Sequence, residues 1–135
     1  MTDSYYIYPI GIINSQYTKR EEAPRQGRYS EVISEITVFD KYGEGLQDIE
    51  NKKHYYIFYW LDRAERDKLK GIPPGKTEER GVFSIRSPAR PNPIAMCLVE
   101  IIKIERNKLT VKWLDALDGS PLIDIKPFWA ETDCI

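Results

Sequence analysis

Histidine and cysteine are nearly absent from this chain of 135 residues, which holds one His and two Cys. His54 is the single imidazole, and no aspartate clusters with a cysteine, so no ligand set for a zinc centre is expected. Cys97 and Cys134 form no Cys-x-x-Cys, and Cys97 lies in the apolar run Ile94 to Val99, where a buried inert thiol is expected. Long hydrophobic runs are missing too. The longest, Tyr55 to Leu61 and Ile94 to Val99, fall far short of the roughly 20 residues that span a bilayer. The start, Met1-Thr2-Asp3-Ser4-Tyr5, has neither the basic stretch nor the apolar core of a secretory signal, so a cytoplasmic location is expected. An excess of one charge is also lacking, with 20 Lys+Arg against 21 Asp+Glu. No global field drives the chain onto nucleic acid or an anionic membrane, and any such contact must come from a local patch.

The familiar phosphate motifs are absent as well. Gly71-Ile-Pro-Pro-Gly75-Lys76-Thr77 imitates a phosphate loop, but it is one residue short between its glycines, and two of the intervening residues are prolines without amide donors. Gly43-Glu44-Gly45 lacks the third glycine and the helix of a dinucleotide fingerprint and reads as a turn.

What the chain does have is a series of short apolar and β-branched runs punctuated by Gly, Pro, Asn and Asp: Tyr6 to Ile13, Glu31 to Phe39, His54 to Leu61, Gly81 to Ile85, Ile94 to Ile104, Leu109 to Leu114 and Leu122 to Ile125. These read as strands. Leu109, Val111 and Trp113 alternate with Thr110 and Lys112, which predicts one buried face and one wet face. Asn107-Lys108 is a tight connection, so a hairpin with Ile101 to Glu105 is expected. Trp60 and Trp113 sit in strand patterns and are expected to fill the core, whereas Trp129 suits a subunit contact. Helix signal is weak and confined to Gly45 to Asn51 and Arg63 to Lys70; Lys68 to Glu79 reads as a mobile surface loop. The length fits one domain, residues 1–135, and the pattern predicts an all-β chain: a small closed barrel with short helical turns and long loops, or a sandwich, with closure favoured because it removes exposed edges.

Two dense blocks follow no period throughout. Gly81-Val-Phe-Ser-Ile-Arg-Ser-Pro-Ala-Arg-Pro-Asn-Pro-Ile94 places Arg86 and Arg90 among Pro88, Pro91 and Pro93, a stiff loop presenting two guanidinium groups to an anionic ligand. Asp115-Ala-Leu-Asp-Gly-Ser-Pro-Leu-Ile-Asp-Ile-Lys126 brings Asp115, Asp118 and Asp124 around an Asp-Gly turn, where carboxylates can accept from a ribose hydroxyl or an amine. Arg25-Gln26, after Pro24, is a similar polar loop. From Arg80 to Val99 there are three arginines and no acid, and Lys19, Arg20, Arg25 and Arg28 add a basic stretch diluted by Glu21 and Glu22.

These blocks, with Pro9-Ile-Gly-Ile-Ile13, Ala23-Pro24-Arg25-Gln26, Tyr59-Trp60, Arg80-Gly-Val-Phe83, Leu114 before the aspartate block and Asp124-Ile-Lys-Pro-Phe128, resemble the TsaA-like family that includes the TrmO tRNA methyltransferases. The ordered set runs through nearly the whole chain. The resemblance implies a single-sheet β-barrel that binds S-adenosylmethionine, acts as a homodimer and methylates the exocyclic nitrogen of threonylcarbamoyladenosine beside the tRNA anticodon. Carried over residue by residue, it implies cofactor contacts at Arg25, Gln26, Leu61, Asp62, Arg86, Met96 and the turn from Asp115 to Asp118. It leaves Arg90 for the substrate's carboxylate or a phosphate, and Lys19, Arg20 and Arg28 for steering RNA. No residue is assigned as a dedicated nucleophile. Leu61-Asp62 stands where many members have Phe-His, and larger bacterial relatives carry a C-terminal extension. Both features keep a small-metabolite acceptor open beside tRNA, and a non-catalytic RNA- or anion-binding module is the alternative from a different class.

Overall fold

The alternating runs close into one antiparallel barrel of six strands, ordered β1-β2-β7-β6-β3-β8, in a computed structural model of the protein that describes residues 3–24 and 27–135. The barrel strands are β1 (Gly11–Asn14), β2 (Ile33–Val38), β3 (His54–Trp60), β6 (Ile94–Glu105), β7 (Lys108–Lys112) and β8 (Pro121–Pro127). A separate two-stranded arm pairs β4 (Lys70–Gly71) with β5 (Arg80–Gly81), and a short helix α1 (Ala130–Asp133) follows β8. None of the helices among the described residues is long and apolar enough to cross a membrane.

Alternation decides what fills the barrel. Along β3, Tyr55, Ile57 and Tyr59 are buried while His54, Tyr56, Phe58 and Trp60 point to the other face, as period two requires. Ile13, Ile36, Val38, Cys97, Val99, Leu109, Val111 and Leu122 complete the interior from the other strands. At Gly11 a Cβ would run into the Thr37 carbonyl, so the β1–β2 approach demands glycine. β6 is the strand that shears the barrel. Its first half, to Glu100, pairs with β3 and its second half pairs with β7, with a bulge between Ile101 and Lys103.

Several expectations need correction. Trp60 and Trp113 do not enter the core: Trp60 is on the outer face of β3, and Trp113 lies beyond β7 with a left-handed φ of 78° that breaks the alternation of Leu109 and Val111. The β6–β7 reversal is made by Arg106-Asn107, one residue earlier than expected, with Arg106 at φ 54°. Gly81 to Ile85 is not a strand of the barrel; after β5 the chain makes a 3-10 turn at Val82–Ser84. Arg63 to Lys70 is not helical, whereas 3-10 turns do form at Asp40–Leu46 and Ile49–Asn51. Those turns close the lower end of the barrel, where the Tyr55 hydroxyl donates to Ile49 O at 2.7 Å.

Candidate functional site

Antiparallel pairing puts the ends of β1, β3 and β7 and the starts of β2, β6 and β8 at one rim. Into this rim run four loops: the turn after β1, the corner Leu61 to Arg66, the arginine loop before β6, and the segment Trp113 to Ser120. The two aspartates of that last segment have different fates. The Asp118 carboxylate accepts from the Ser15 amide at 3.0 Å and from Asn14 Nδ2 at 3.4 Å, while its own amide donates to Tyr17 O at 2.7 Å. Its carbonyl accepts from Arg63 Nη2. Asp118 therefore clamps the rim segment to the end of β1, and Gly119, at φ 83°, completes the turn.

Asp115 is held differently. Leu114 and Ala116 on either side are fully buried and anchor its peptide, and its Oδ1 accepts from the Tyr59 hydroxyl at 2.7 Å. Burial pushes the Asp115 carboxyl above the usual carboxylate range; the Tyr59 hydroxyl, the Cys97 thiol, its own amide and the Arg86 charge act in the opposite sense. Burial, and then the Asp115 charge, drive the Tyr59 phenol strongly up. Cys97 is buried as expected, its thiol donating to Trp113 O at 3.1 Å and pushed strongly up by the same two causes. The inert reading of this thiol follows from that shift.

The two arginines of the loop also separate. Arg90 donates from Nη1 to Ile85 O (3.2 Å) and Ser87 O (3.0 Å) and from Nη2 to Val82 O (2.7 Å), so it is the internal brace of the loop. Arg86, by contrast, is exposed and makes no hydrogen bond or ion pair among the described residues. Arg66, unremarked in the sequence, ties the corner to this loop through Pro91 O (2.8 Å) and Asn92 Oδ1 (3.1 Å) and lies 5.2 Å over the Trp60 ring. Arg63 joins Asp62 (3.3 Å) to the Asp118 carbonyl. No local pattern marks Arg63 and Arg66, because their partners are carbonyls brought by other loops.

The remaining predicted residues spread around this rim. Leu61 is partly buried against the core and its amide donates to Pro93 O at 2.8 Å, whereas Asp62 is exposed. Met96 faces outward opposite Phe58 and is 41% exposed, so it lies across the β3–β6 sheet from the inward Tyr59. Lys19 and Arg20 are exposed at a 3-10 turn whose Glu22 carboxylate accepts from Thr18 and Lys19; those bonds, Thr18 first, hold Glu22 below the usual range. Arg28 stacks 4.4 Å over Trp113, whose ring is parallel to His54 at 5.6 Å. Gly27 packs so closely on the Trp113 carbonyl that a Cβ would overlap it. Arg25 and Gln26 lie outside the described residues. Among the described residues, no group of three His, Cys, Asp or Glu is arranged to hold a metal ion.

Two concavities lie away from the rim. A cleft of about 350 Å³ is lined by Ile10, Val38, Tyr42, Leu46, Ile49 and Ile125 with Lys41, Glu44 and Asp124, and an adjoining one of about 320 Å³ reaches Lys52 and Pro127. The first takes in Asp124, which the aspartate block offered as a candidate and which stands apart from Asp115 and Asp118; among the described residues, the other predicted site residues touch neither cleft. The convergent charged groups lie instead at the rim.

Fold and rim together define a small closed antiparallel barrel with polar and charged loops converging at one mouth. The chain belongs to the tRNA-methyltransferase O N-terminal domain family, whose model matches residues 12–134. It is 58% identical over 127 residues to an S-adenosyl-L-methionine-binding protein of Archaeoglobus fulgidus, covering 94% of this chain and 91% of the relative. A probable S-adenosyl-L-methionine-binding protein of Methanothermobacter thermautotrophicus is 46% identical, with 96% and 93% covered. The crystal structure of TrmO from Pseudomonas aeruginosa superposes with a TM-score of 0.82 at 25% identity, covering 98% of this chain and 60% of that one. The chain thus spans about three-fifths of the TrmO chain.

Proposed function

We propose that this protein is an S-adenosylmethionine-dependent methyltransferase acting on the exocyclic nitrogen of threonylcarbamoyladenosine next to the tRNA anticodon. The observation that carries the reading is the rim itself: in a member of this family, an uncommitted Arg86 guanidinium shares it with an Asp115 carboxylate that keeps open lone pairs. That donor and acceptor set suits a cofactor bearing an amino-acid zwitterion, ribose hydroxyls and an apolar purine. When bound, S-adenosylmethionine supplies a methyl group on a positively charged sulfur.

The protein's part is binding, orientation and exclusion of water. Arg86 pairs with the cofactor carboxylate, and Asp115 accepts from its amine or ribose hydroxyls. Leu61 and Met96 supply apolar cover for the adenine, with Arg25, Gln26 and Asp62 completing the pocket. Asp118 shapes it through the clamp to β1. Arg90 retains Nε and one Nη2 hydrogen for the acceptor's carboxylate or a phosphate, and Lys19, Arg20 and Arg28 steer the RNA. Orientation of this kind contributes roughly 7 to 11 kcal/mol in well-aligned reactions, so no covalent nucleophile is needed. A homodimer belongs to the same proposal and is tested by sedimentation velocity, where a single monomeric species at micromolar concentration removes it.

Incubation with methyl-labelled S-adenosylmethionine and tRNA carrying threonylcarbamoyladenosine tests the reaction. Label in the methylated nucleoside is expected, and inert tRNA in the presence of tight cofactor binding contradicts the acceptor. One observation favours a small amine or hydroxyl metabolite as a second reading: Asp62 is exposed and engaged by Arg63, unlike a base held ready for an amine proton. Label entering small metabolites with tRNA inert selects that reading. Binding without turnover on any acceptor selects a non-catalytic module.

A further inference from the structure

The proposed cofactor role uses the half-buried Asp115 and leaves unexplained the buried Tyr59 and Cys97 beneath it. Tyr59 reaches Asp115 from β3, while Cys97, two residues on from the Ala95 that pairs with Tyr59 and facing the same interior, reaches the Trp113 carbonyl just ahead of it. A phenylalanine fills a barrel interior as well as a tyrosine does, so the Tyr59 hydroxyl calls for a reason, and its 2.7 Å bond to Asp115 Oδ1 gives one. The rest of the surroundings restrain the Asp115 backbone. Leu114 and Ala116 are fully buried on either side, Trp113 reverses the chain through its left-handed φ of 78°, and the Cys97 thiol grips the Trp113 carbonyl at 3.1 Å.

We propose that Tyr59, seconded by Cys97, is a positioning residue that fixes the Asp115 carboxylate through Oδ1 and leaves its other oxygen to accept the cationic amine or a ribose hydroxyl of the cofactor. The inference rests on the reading of Asp115 as the cofactor acceptor. The titratable and charged groups around Asp115 divide cleanly by element. β3 contributes Tyr59, β6 contributes Cys97, and the arginine loop contributes Arg86; all three favour the carboxylate against the burial that opposes it. Asp118, on the same segment, is turned toward Ser15 and Asn14, and Arg28 is occupied over Trp113.

The sign of the effect follows. Removing the Tyr59 donor removes a group that lowers the Asp115 pKa, so its midpoint moves further up. The test titrates Asp carboxyl carbons by NMR in the cofactor-free protein, with Asp115→Asn giving the assignment, and measures S-adenosylmethionine affinity by calorimetry across the same pH range. In Tyr59→Phe the Asp115 midpoint should rise by about one pH unit, the equivalent of one charge-assisted hydrogen bond. Affinity should fall about twofold at the new midpoint, approach a roughly tenfold loss at pH well below the wild-type midpoint, and recover toward alkaline pH. An unchanged midpoint, or an affinity loss equal at every pH, overturns the proposal. Cys97→Ala and Cys97→Ser give a second test should Tyr59→Phe fail to fold: the serine variant should hold the wild-type midpoint and the alanine variant should raise it, and equal behaviour of the two contradicts the role of the thiol. Wild-type protein that binds no S-adenosylmethionine defeats the underlying functional reading instead, while the cofactor-free titration still reports on Tyr59.

Discussion

The two ends of the barrel use charge in different ways. At the rim, Arg63 and Arg66 spend their guanidinium groups on backbone carbonyls of other loops, Arg90 spends its own on carbonyls within its loop, and Asp118 spends its carboxylate on amide donors at the end of β1. At the lower end, the 3-10 turns pack Leu46 and Ile49 against the core, and the adjoining cleft is mostly apolar. The difference teaches that irregular loops without a period need polar braces to hold shape, and that the charged groups left over once the bracing is done are the ones free to meet a ligand. By that measure Arg86 and Asp115 stand out, though Asp115 and Asp118 lie in one turn and Arg86 and Arg90 in one loop.

Breaking the braces should have the largest effect. Arg90→Ala removes three charge-assisted bonds to carbonyls and is expected to cost about 2 to 3 kcal/mol of stability, with cofactor affinity lost alongside. Thermal denaturation checks it, and an unchanged midpoint would refute the brace. Arg86→Ala should reverse that pattern: the melting temperature stays put while S-adenosylmethionine affinity drops about 10- to 100-fold by calorimetry. Parallel losses in both readouts would erase the distinction between the arginines. Asp118→Ala should cost about 1 kcal/mol, the value of a lost capping acceptor, and weaken binding only through the loosened turn. Because burial raises the Asp115 carboxyl, affinity should decline as pH falls from a point above the usual carboxylate range; a decline confined to more acidic pH would argue against Asp115 as acceptor. The smallest effect belongs to the lower end, where Lys41→Ala beside the 350 Å³ cleft should change stability by less than about 0.5 kcal/mol and leave affinity unaltered.

Six of the seven expected strand positions were legible because apolar runs and Gly or Pro breaks mark them locally; Gly81 to Ile85 has the same composition and turns instead. The barrel was legible too, since many short strands without helical crossovers need closure. Which face a strand buries was harder to read. Trp60 shares its strand with Tyr59, and alternation alone does not say which of two large rings turns inward. Trp113 escapes the pattern through a single left-handed residue, a conformation no local composition signals for tryptophan. The proline-fixed loop was recognisable as rigid, yet the division of labour between Arg86 and Arg90 was hidden, because it depends on where Val82, Ile85 and Ser87 aim their carbonyls. Asp115 and Asp118 looked alike for the same reason: one is anchored by buried neighbours and Tyr59, the other by the end of β1, more than a hundred residues away in sequence.

The direct test of rim against lower end is an amide chemical-shift map of the protein titrated with S-adenosylmethionine. Shifts concentrated at Leu61, Asp62, Arg86 and Asp115, with Tyr42, Leu46, Ile49 and Ile125 silent, are the predicted result. Shifts confined to the second group would move the site to the apolar cleft and contradict the reading of the rim.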